Sequence, residues 1–497
     1  MQSPRTNAGV PEPPEGVIPV HLVLGTVAKV ICSAVFLSGR DLDEARRNSA
    51  LHALSVHHLH TVLLDEIAID VDRDATEVTV SLELDEAAVD LLVAGYRAHF
   101  DSLDADWDAE RERLLALGDV ARTARFLGDQ GSVILPRDGR PLGFRPVEVT
   151  TTLPDASGQD WPMGDRSDGV QVRSAVDRQA VAKAIEAGFA DEAAHTAAVV
   201  VLHCGDIVGE RYRDGIDAET QLESWSMGKS LTATLVGVLV EKGLLSLDQP
   251  APVPAWQGQD DPRRHIRVRD LLQMSGGLQF SGQDDPRQAW RLGVPDHLYV
   301  YTDAVDALGF AVSSPAEFAP GTVGRYLNCD PLTLGYIVKQ TVTERLGQEY
   351  LRWPQAELFD RVGIRRQVLE TDWYGNFLLT GFDYGTARNW ARLGLLYLQD
   401  GVWEGERILP EGWSEFVSTP APGWEEPRYG GQFWLNGTHE FALPTEAYYM
   451  AGFGEQRVFI VPSADLVVVR LGHRADTDAA KDSTNTMLGE LMKVVAG

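Results

Sequence analysis

Cysteine is scarce: Cys32, Cys204 and Cys329 are odd in number and far apart in a chain of 497 residues, which argues against a disulfide framework. No C-x-x-C pair and no Cys/His ligand spacing accompanies them, so no metal is expected and they read as reduced, partly buried thiols. Positive charge is also short. Lys and Arg total 44 against 73 Asp and Glu, a formal net charge of −29. Such a surface repels polyanions, which argues against nucleic acid and against an anionic membrane as partners. Long apolar runs are lacking as well, with one ambiguous case. "GVIPVHLVLGTVAKVICSAVFL" (16–37) has the length of a membrane span, but Pro19, His21 and Lys29 interrupt it. It has no basic flank before it and no clean cleavage site after it. A buried or interfacial segment in a cytoplasmic protein is expected, with a signal or anchor, and hence export, as the alternative.

What is present is the composition of a globular protein long enough for two domains. The first, residues 1–165, shows a hairpin pattern: Ile67 to Val71 and Val78 to Leu84 alternate around "DRDAT". A helix over 85–100 and an acidic, solvated stretch at "DSLDADWDAERE" follow. No constellation here points to chemistry. His52, His57, His58 and His60 cluster without the acidic support of a metal site and read as solvated or core histidines. "TTLPDASGQDWPMGDRSDG" (151–169) reads as a linker or a surface crossing.

From residue 166 the pattern is a short helix (177–189), then two strands around Cys204-Gly205-Asp206. After a long middle come three strands at "GGQFWLN", "RVFIVP" and "DLVVVRL", and a closing amphipathic helix. This predicts an α+β fold: one antiparallel sheet drawn from both ends of the domain, flanked by helices, with a mainly helical lobe between.

The stretch "ESWSMGKSLTATLVGVLVEKG" (223–243) admits two chemistries. A phosphate loop requires glycine five residues before Gly228, where Glu223 stands, and a strand leading directly into it, which is missing. The other reading is Ser-x-x-Lys, with Ser226 at the start of an apolar helix and Lys229 one turn along the same face. The helix N-terminus favours a developing negative charge, and burial favours a neutral lysine, which makes a general base beside a nucleophile. A helix cap followed by a surface lysine is the competing reading. "GRYLNCD" adds Tyr326, a proton donor to a leaving group, and Asn328, able to bridge Lys229 and a substrate amide. In "YYMAGFGEQRVFIVP", Gly452 and Gly454 permit close backbone approach to a ligand. An N–H from this edge would join that of Ser226 in an oxyanion hole. "HLYVYTD" (297–303) offers two tyrosines to a cleft wall, though ordinary aromatic packing explains them too.

Ser-x-x-Lys, Tyr-x-Asn and a late glycine-bearing strand, in that order, resemble the serine β-lactamase and D-Ala-D-Ala peptidase superfamily. "LTATLVGVLVEKGLLSLDQPAPVPAW", "IRVRDLLQMSGGLQF", "GTARNWARLGLLYLQDGVWEGERILPEGW" and "VFIVPSADLVVVRLGH" look most like its class C-related branch of esterases and 6-aminohexanoate-dimer hydrolases. The resemblance runs from about residue 170 to the C-terminus and implies a β-lactamase-like fold for residues 166–497. It makes Ser226 the acylated nucleophile, Lys229 its base, Tyr326 the proton relay and Asn328 a supporting residue, with the N–H groups of Ser226 and Phe453 as oxyanion donors. Tyr449, Gly452 and Gln456 become candidates for the substrate pocket, and Glu455 either shapes it or is a solvated strand residue. No cofactor is implied. The third motif departs from the superfamily: Met450-Ala451-Gly452 stands where Lys or His, then Thr or Ser, then Gly is usual. The missing cation weakens the case for β-lactams and peptidoglycan, so a small neutral amide or ester is the expected substrate. An acylatable protein without turnover and a transacylase are the alternatives. The oligomeric state stays open, a homodimer included.

Overall fold

The ambiguous apolar stretch folds inward. In the computed structural model, which describes residues 19–55, 63–99, 106–167, 173–282, 294–473 and 477–496, it forms helix α1 (Pro19–Phe36). Apolar side chains occur on nearly every side of α1, so a surface position would leave one face unburied. It lies instead across a four-stranded antiparallel sheet, β1 (Ala68–Asp72), β2 (Glu77–Leu82), β3 (Val120–Phe126) and β4 (Ser132–Ile134), in that order. Val78, Val80 and Leu82 of β2 are buried, and Glu77, Thr79 and Ser81 between them are less so, as the alternation predicts. Helices α2 (Glu86–His99) and α3 (Trp107–Leu115) join β2 to β3, the second capped by Asp106 and largely solvated. No helix among the described residues is long and apolar enough to cross a membrane. His57, His58 and His60 lie outside the described residues, as does the side chain of His52.

The stretch from residue 151 is a bound surface crossing rather than a free linker. Hydroxyls of Thr151 and Thr152 donate to Asp360 at 2.6 and 2.7 Å, and Arg392 donates to Asp165 at 2.6 Å. Residues 168 and 169 lie outside the described set.

The second part opens with α4 (Arg178–Ala187), capped by Asp177, followed by β5 (Thr196–His203) and β6 (Asp206–Tyr212). Cys204 and Gly205 turn between these strands at φ +53° and +78°, the left-handed pair that suits a two-residue hairpin. Further along come β7 (Leu222–Glu223), α5 (Met227–Glu241), α6 (Cys329–Gln340), β8 (Val368–Leu369), β9 (Asp383–Gly385) and α7 (Ala387–Leu398). The chain then returns through β10 (Trp434–Leu435), β11 (Tyr448–Gly452), β12 (Gln456–Val461), β13 (Leu466–Gly472) and α8 (Thr477–Ala496).

The main sheet has the order β10-β11-β12-β13-β5-β6, so the first and last strands of this part lie side by side and antiparallel. Val199, Val201, Phe459 and Val468 pack on α4 and α8, while Val200, Val458, Val467 and Val469 on the other face pack on α7. Burial on both faces explains why β13 reads as a nearly continuous apolar run. The strand at "GGQFWLN" is shorter than its sequence suggests. Asn436 ends it by donating its amide to the carbonyls of Phe441 and Leu443, which bends the backbone away. A second, three-stranded sheet of order β7-β9-β8 aims the chain at α5.

Candidate active site

β7 ends at Glu223, and Ser224 N–H donates to the Asp383 carbonyl of β9 at 2.8 Å. Trp225 then takes a left-handed conformation, φ +45°, unfavourable for a bulky residue, and Ser226 opens α5. The Trp225 ring is held by Phe382 and Phe453, with centroids at 5.1 and 6.3 Å. Ser226 makes no capping bond with its side chain. Its Oγ lies 2.9 Å from Lys229 Nζ, which also donates to the Thr380 carbonyl at 2.9 Å. Lys229 is 1% exposed. The surface-lysine alternative is therefore excluded. Burial lowers the Lys229 pKa to about 7, against a raising influence from Asp383.

Tyr326 covers the amine, its ring centroid 4.8 Å from Lys229 Nζ. Its phenol is pushed up to about 12 by burial, opposed by hydrogen bonding with Ser226 and Trp434, so it is protonated at neutral pH. Trp434 and Tyr429 fix the ring from behind at 5.1 and 5.8 Å. Asn328 is fully buried, and its amide donates to the His297 carbonyl at 2.5 Å instead of reaching Lys229. It braces the wall that carries His297 and Tyr301. The bridging role expected of Asn328 falls, at the lysine, to the carbonyl of Thr380. His297 is neutral, its pKa lowered to about 3 by burial and then by Lys229. Of the two tyrosines nearby, Tyr301 lines the cavity and bonds Thr380 Oγ1, whereas Tyr299 packs at a tilt against Phe310, centroids 5.4 Å apart.

β11 forms the opposite wall. A Cβ on Gly452 would stand 2.0 Å from the Ser224 carbonyl, so the close approach its glycine permits is to the nucleophile's own turn rather than to a ligand. Gly454, φ +77°, serves the bend between β11 and β12. Phe453, Tyr449 and Gly452 line the cavity. Gln456 does not. It is fully buried and exchanges hydrogen bonds with Gly472, because its place in β12 directs it into the sheet toward β13. Glu455 is neither solvated nor in the lining: it is buried and paired with Arg457 at 2.6 Å.

The cavity measures about 550 Å³ and is walled largely by Trp225, Phe280, Leu298, Tyr301, Trp434 and Tyr449. Among the described residues three arginines reach its lining, and each has an acidic partner: Arg325 with Glu317 at 3.0 Å, Arg428 with Glu426 at 3.5 Å, and Arg457 with Glu455. Among the described residues no group of three or more His, Cys, Asp or Glu is placed to hold a metal. Thr380, Asp383, His297 and the three arginines carry no sequence signal that would have singled them out. They meet Ser226 only through the fold.

The β-lactamase family model matches residues 181–490. A 6-aminohexanoate-dimer hydrolase of Paenarthrobacter ureafaciens is 26% identical over 308 residues, spanning 57% of this chain and 74% of the relative. Among solved structures, a protein of Bacteroides dorei assigned as a β-lactamase aligns with a TM-score of 0.50 at 17% identity, over 65% of this chain and 100% of its own. A family VIII carboxylesterase aligns at 0.47 and 15% identity, over 64% and 100%. The matched span holds the sheet, the turn carrying Ser226 and the Tyr326 wall, and leaves out α1 and the four-stranded sheet beneath it. By that span the chain belongs to the β-lactamase family, and it is a hydrolase of this serine superfamily.

Proposed function

We propose that the protein cleaves small, neutral amides or esters through an acyl-serine intermediate, in the manner of the 6-aminohexanoate-dimer hydrolase it resembles. The observation that carries this is the Ser226–Lys229 pair. An amine with a pKa near 7 lies 2.9 Å from a hydroxyl that is spent on no other bond of its helix. Lys229, as the neutral amine, takes the Ser226 proton while Oγ bonds to the substrate carbonyl carbon. The carbonyl oxygen becomes an oxyanion, received by the N–H of Ser226 at the N-terminus of α5 and by that of Phe453 in the turn after β11. As the tetrahedral intermediate collapses, the bond to the leaving nitrogen or oxygen breaks and Tyr326 supplies its proton, recovering one from Lys229. Water then attacks the acyl carbon. Water's proton passes through Tyr326 to Lys229; the bond from the acyl carbon to Ser226 Oγ then breaks, Oγ takes that proton back from Lys229, and the acid departs.

The pairing of Arg325, Arg428 and Arg457 favours a neutral substrate, because among the described residues each cation in the lining has a counter-charge. The aromatic walls suit an aliphatic or aryl acyl group. A serine-directed phosphonate probe with intact-mass readout tests the nucleophile, and a panel of esters, linear amides and β-lactams on wild type and Ser226→Ala tests the reaction. Labelling at Ser226 with turnover of an ester or amide, lost in the variant, is expected. Activity that survives Ser226→Ala rejects the mechanism, and an acyl-enzyme persisting for hours replaces turnover with binding.

A further inference from the structure

Glu370 follows β8 in the hydrolase part, yet three of its partners come from the N-terminal module. Lys29 Nζ of α1 pairs with its carboxylate at 2.6 Å, Ser33 Oγ donates at 2.5 Å and Ser132 N–H of β4 at 2.7 Å. Lys29 also donates to the Ser132 carbonyl and stands 5.0 Å from the Phe382 ring. Gly131, at φ +67°, makes the approach possible, since a Cβ there would lie 2.3 Å from Glu370 Cγ. Lys29 is 2% exposed and Glu370 not at all.

The small sheet continues this line toward the nucleophile. β9 pairs with β8 in the register Leu369↔Asp383, one residue from Glu370, and Glu370 acts electrostatically on the buried Asp383. Asp383 lies against the first turn of α5, where a Cβ on Gly228 would meet its Oδ2 at 2.0 Å. It acts electrostatically on Lys229 in turn. Lys29, Glu370, Asp383 and Lys229 thus form one buried row from the module to the catalytic amine. A carboxylate in such surroundings has little solvent to screen it.

We propose that Lys29 is a positioning residue for the Ser226–Lys229 pair: its charge cancels that of Glu370, so that this second carboxylate, behind Asp383, does not bias Lys229 further toward the ammonium form. The inference rests on the acyl-serine reading above, and it gives the N-terminal module a part in the chemistry. The other titratable groups facing this row do not substitute for Lys29. His297 is held neutral, and Tyr326, Tyr301 and Tyr384 are held protonated by burial. Asp383 is held toward its neutral form by burial and by Glu370, and Glu223 toward its own by burial, with Arg40 opposing. Cys32, next to Lys29 on α1, is a thiol pushed up to about 12 by burial.

The test is the rate of Ser226 labelling by a p-nitrophenyl phosphonate, followed from pH 5 to 10, which reads nucleophile activation without requiring turnover. Lys29→Met leaves Glu370 unpaired and moves the acid limb up by about 0.5–1 pH unit. Glu370→Gln leaves Lys29 unpaired and moves it down by a similar amount. The double variant returns it to the wild-type position. Loss of packing alone lowers the rate without opposite shifts, so shifts of one sign, or none, overturn the proposal. Should Lys29→Met fail to fold, Glu370→Gln and the double variant still carry the sign. Absence of labelling in the wild-type protein overturns the acyl-serine reading itself, and this inference with it.

Discussion

Lys229 Nζ stands 2.9 Å from Ser226 Oγ with its pKa brought down to about 7, so near neutrality the pair shifts between a resting ammonium and a working base. The same burial that makes the amine useful makes it costly to charge, and both effects can be measured.

The pH profile follows first. With neutral Lys229 required, kcat/KM for a neutral ester rises about tenfold per pH unit below roughly 7 and levels above it. Tyr326, pushed up to about 12, keeps its proton far beyond that, so no alkaline fall from the phenol is expected below about pH 10. A flat profile between pH 5 and 8 would remove Lys229 as the base.

Stability moves with the same group. The folded-state pKa of Lys229 is depressed from 10.5 to about 7, so between these values the unfolded chain binds the extra proton. Stability therefore rises with pH across that window, and the penalty is fully present below about 7. Lys229→Met removes it. The variant is expected to lose activity by about 10²–10⁴-fold, yet to gain roughly 2–4 kcal/mol at pH 6. The gain shrinks toward pH 10, and urea titrations at pH 6, 8 and 10 check it.

Tyr326→Phe separates leaving groups. An alkylamine needs a proton to depart, and a p-nitrophenolate does not. Amide hydrolysis is expected to fall by about 10²-fold or more, and p-nitrophenyl ester hydrolysis by far less. Equal losses on both substrates would place Tyr326 in a different role.

Gly452→Ala puts a methyl 2.0 Å from the Ser224 carbonyl, a contact neither backbone can relieve without moving the Ser226 turn. Overpacking of this kind costs about 1–3 kcal/mol. The displacement of reacting atoms is expected to lower kcat/KM on the order of 10²-fold. Thermal unfolding alongside kinetics checks that the fold survives.

Arg122 of β3 pairs with Asp303 at 2.7 Å, both largely buried, and so ties the N-terminal module to the segment bearing His297 and Tyr301. Arg122→Leu leaves Asp303 unpaired and is expected to cost roughly 3–5 kcal/mol. KM is expected to rise with it, because that wall lines the cavity. The double variant Arg122→Leu with Asp303→Asn is expected to recover most of the stability.

The sequence by itself determined the local elements and the order of the chemistry. Asp177 at a helix start, Cys204-Gly205 between two strand-forming runs, and the apolar run after Ser226 each decide structure over a few residues, where propensity, turn chemistry and capping act. It also ruled out the phosphate loop, since one side chain, Glu223, stands where backbone must be bare. The tertiary structure alone decided which groups surround Lys229. Thr380, Asp383 and His297 are 151, 154 and 68 positions away from it along the chain, and only the β7-β9-β8 sheet and the 297–301 wall bring them near. It redirected Gln456 into the sheet and Asn328 toward His297, because strand register and helix packing fix side-chain direction beyond what spacing shows. Least legible was α1. A lysine within an apolar run reads as an interruption until its partner is known, and that partner, Glu370, lies 341 residues further along the chain. Burial in a low-dielectric interior makes such a pair matter, and burial is a property of the packed molecule alone.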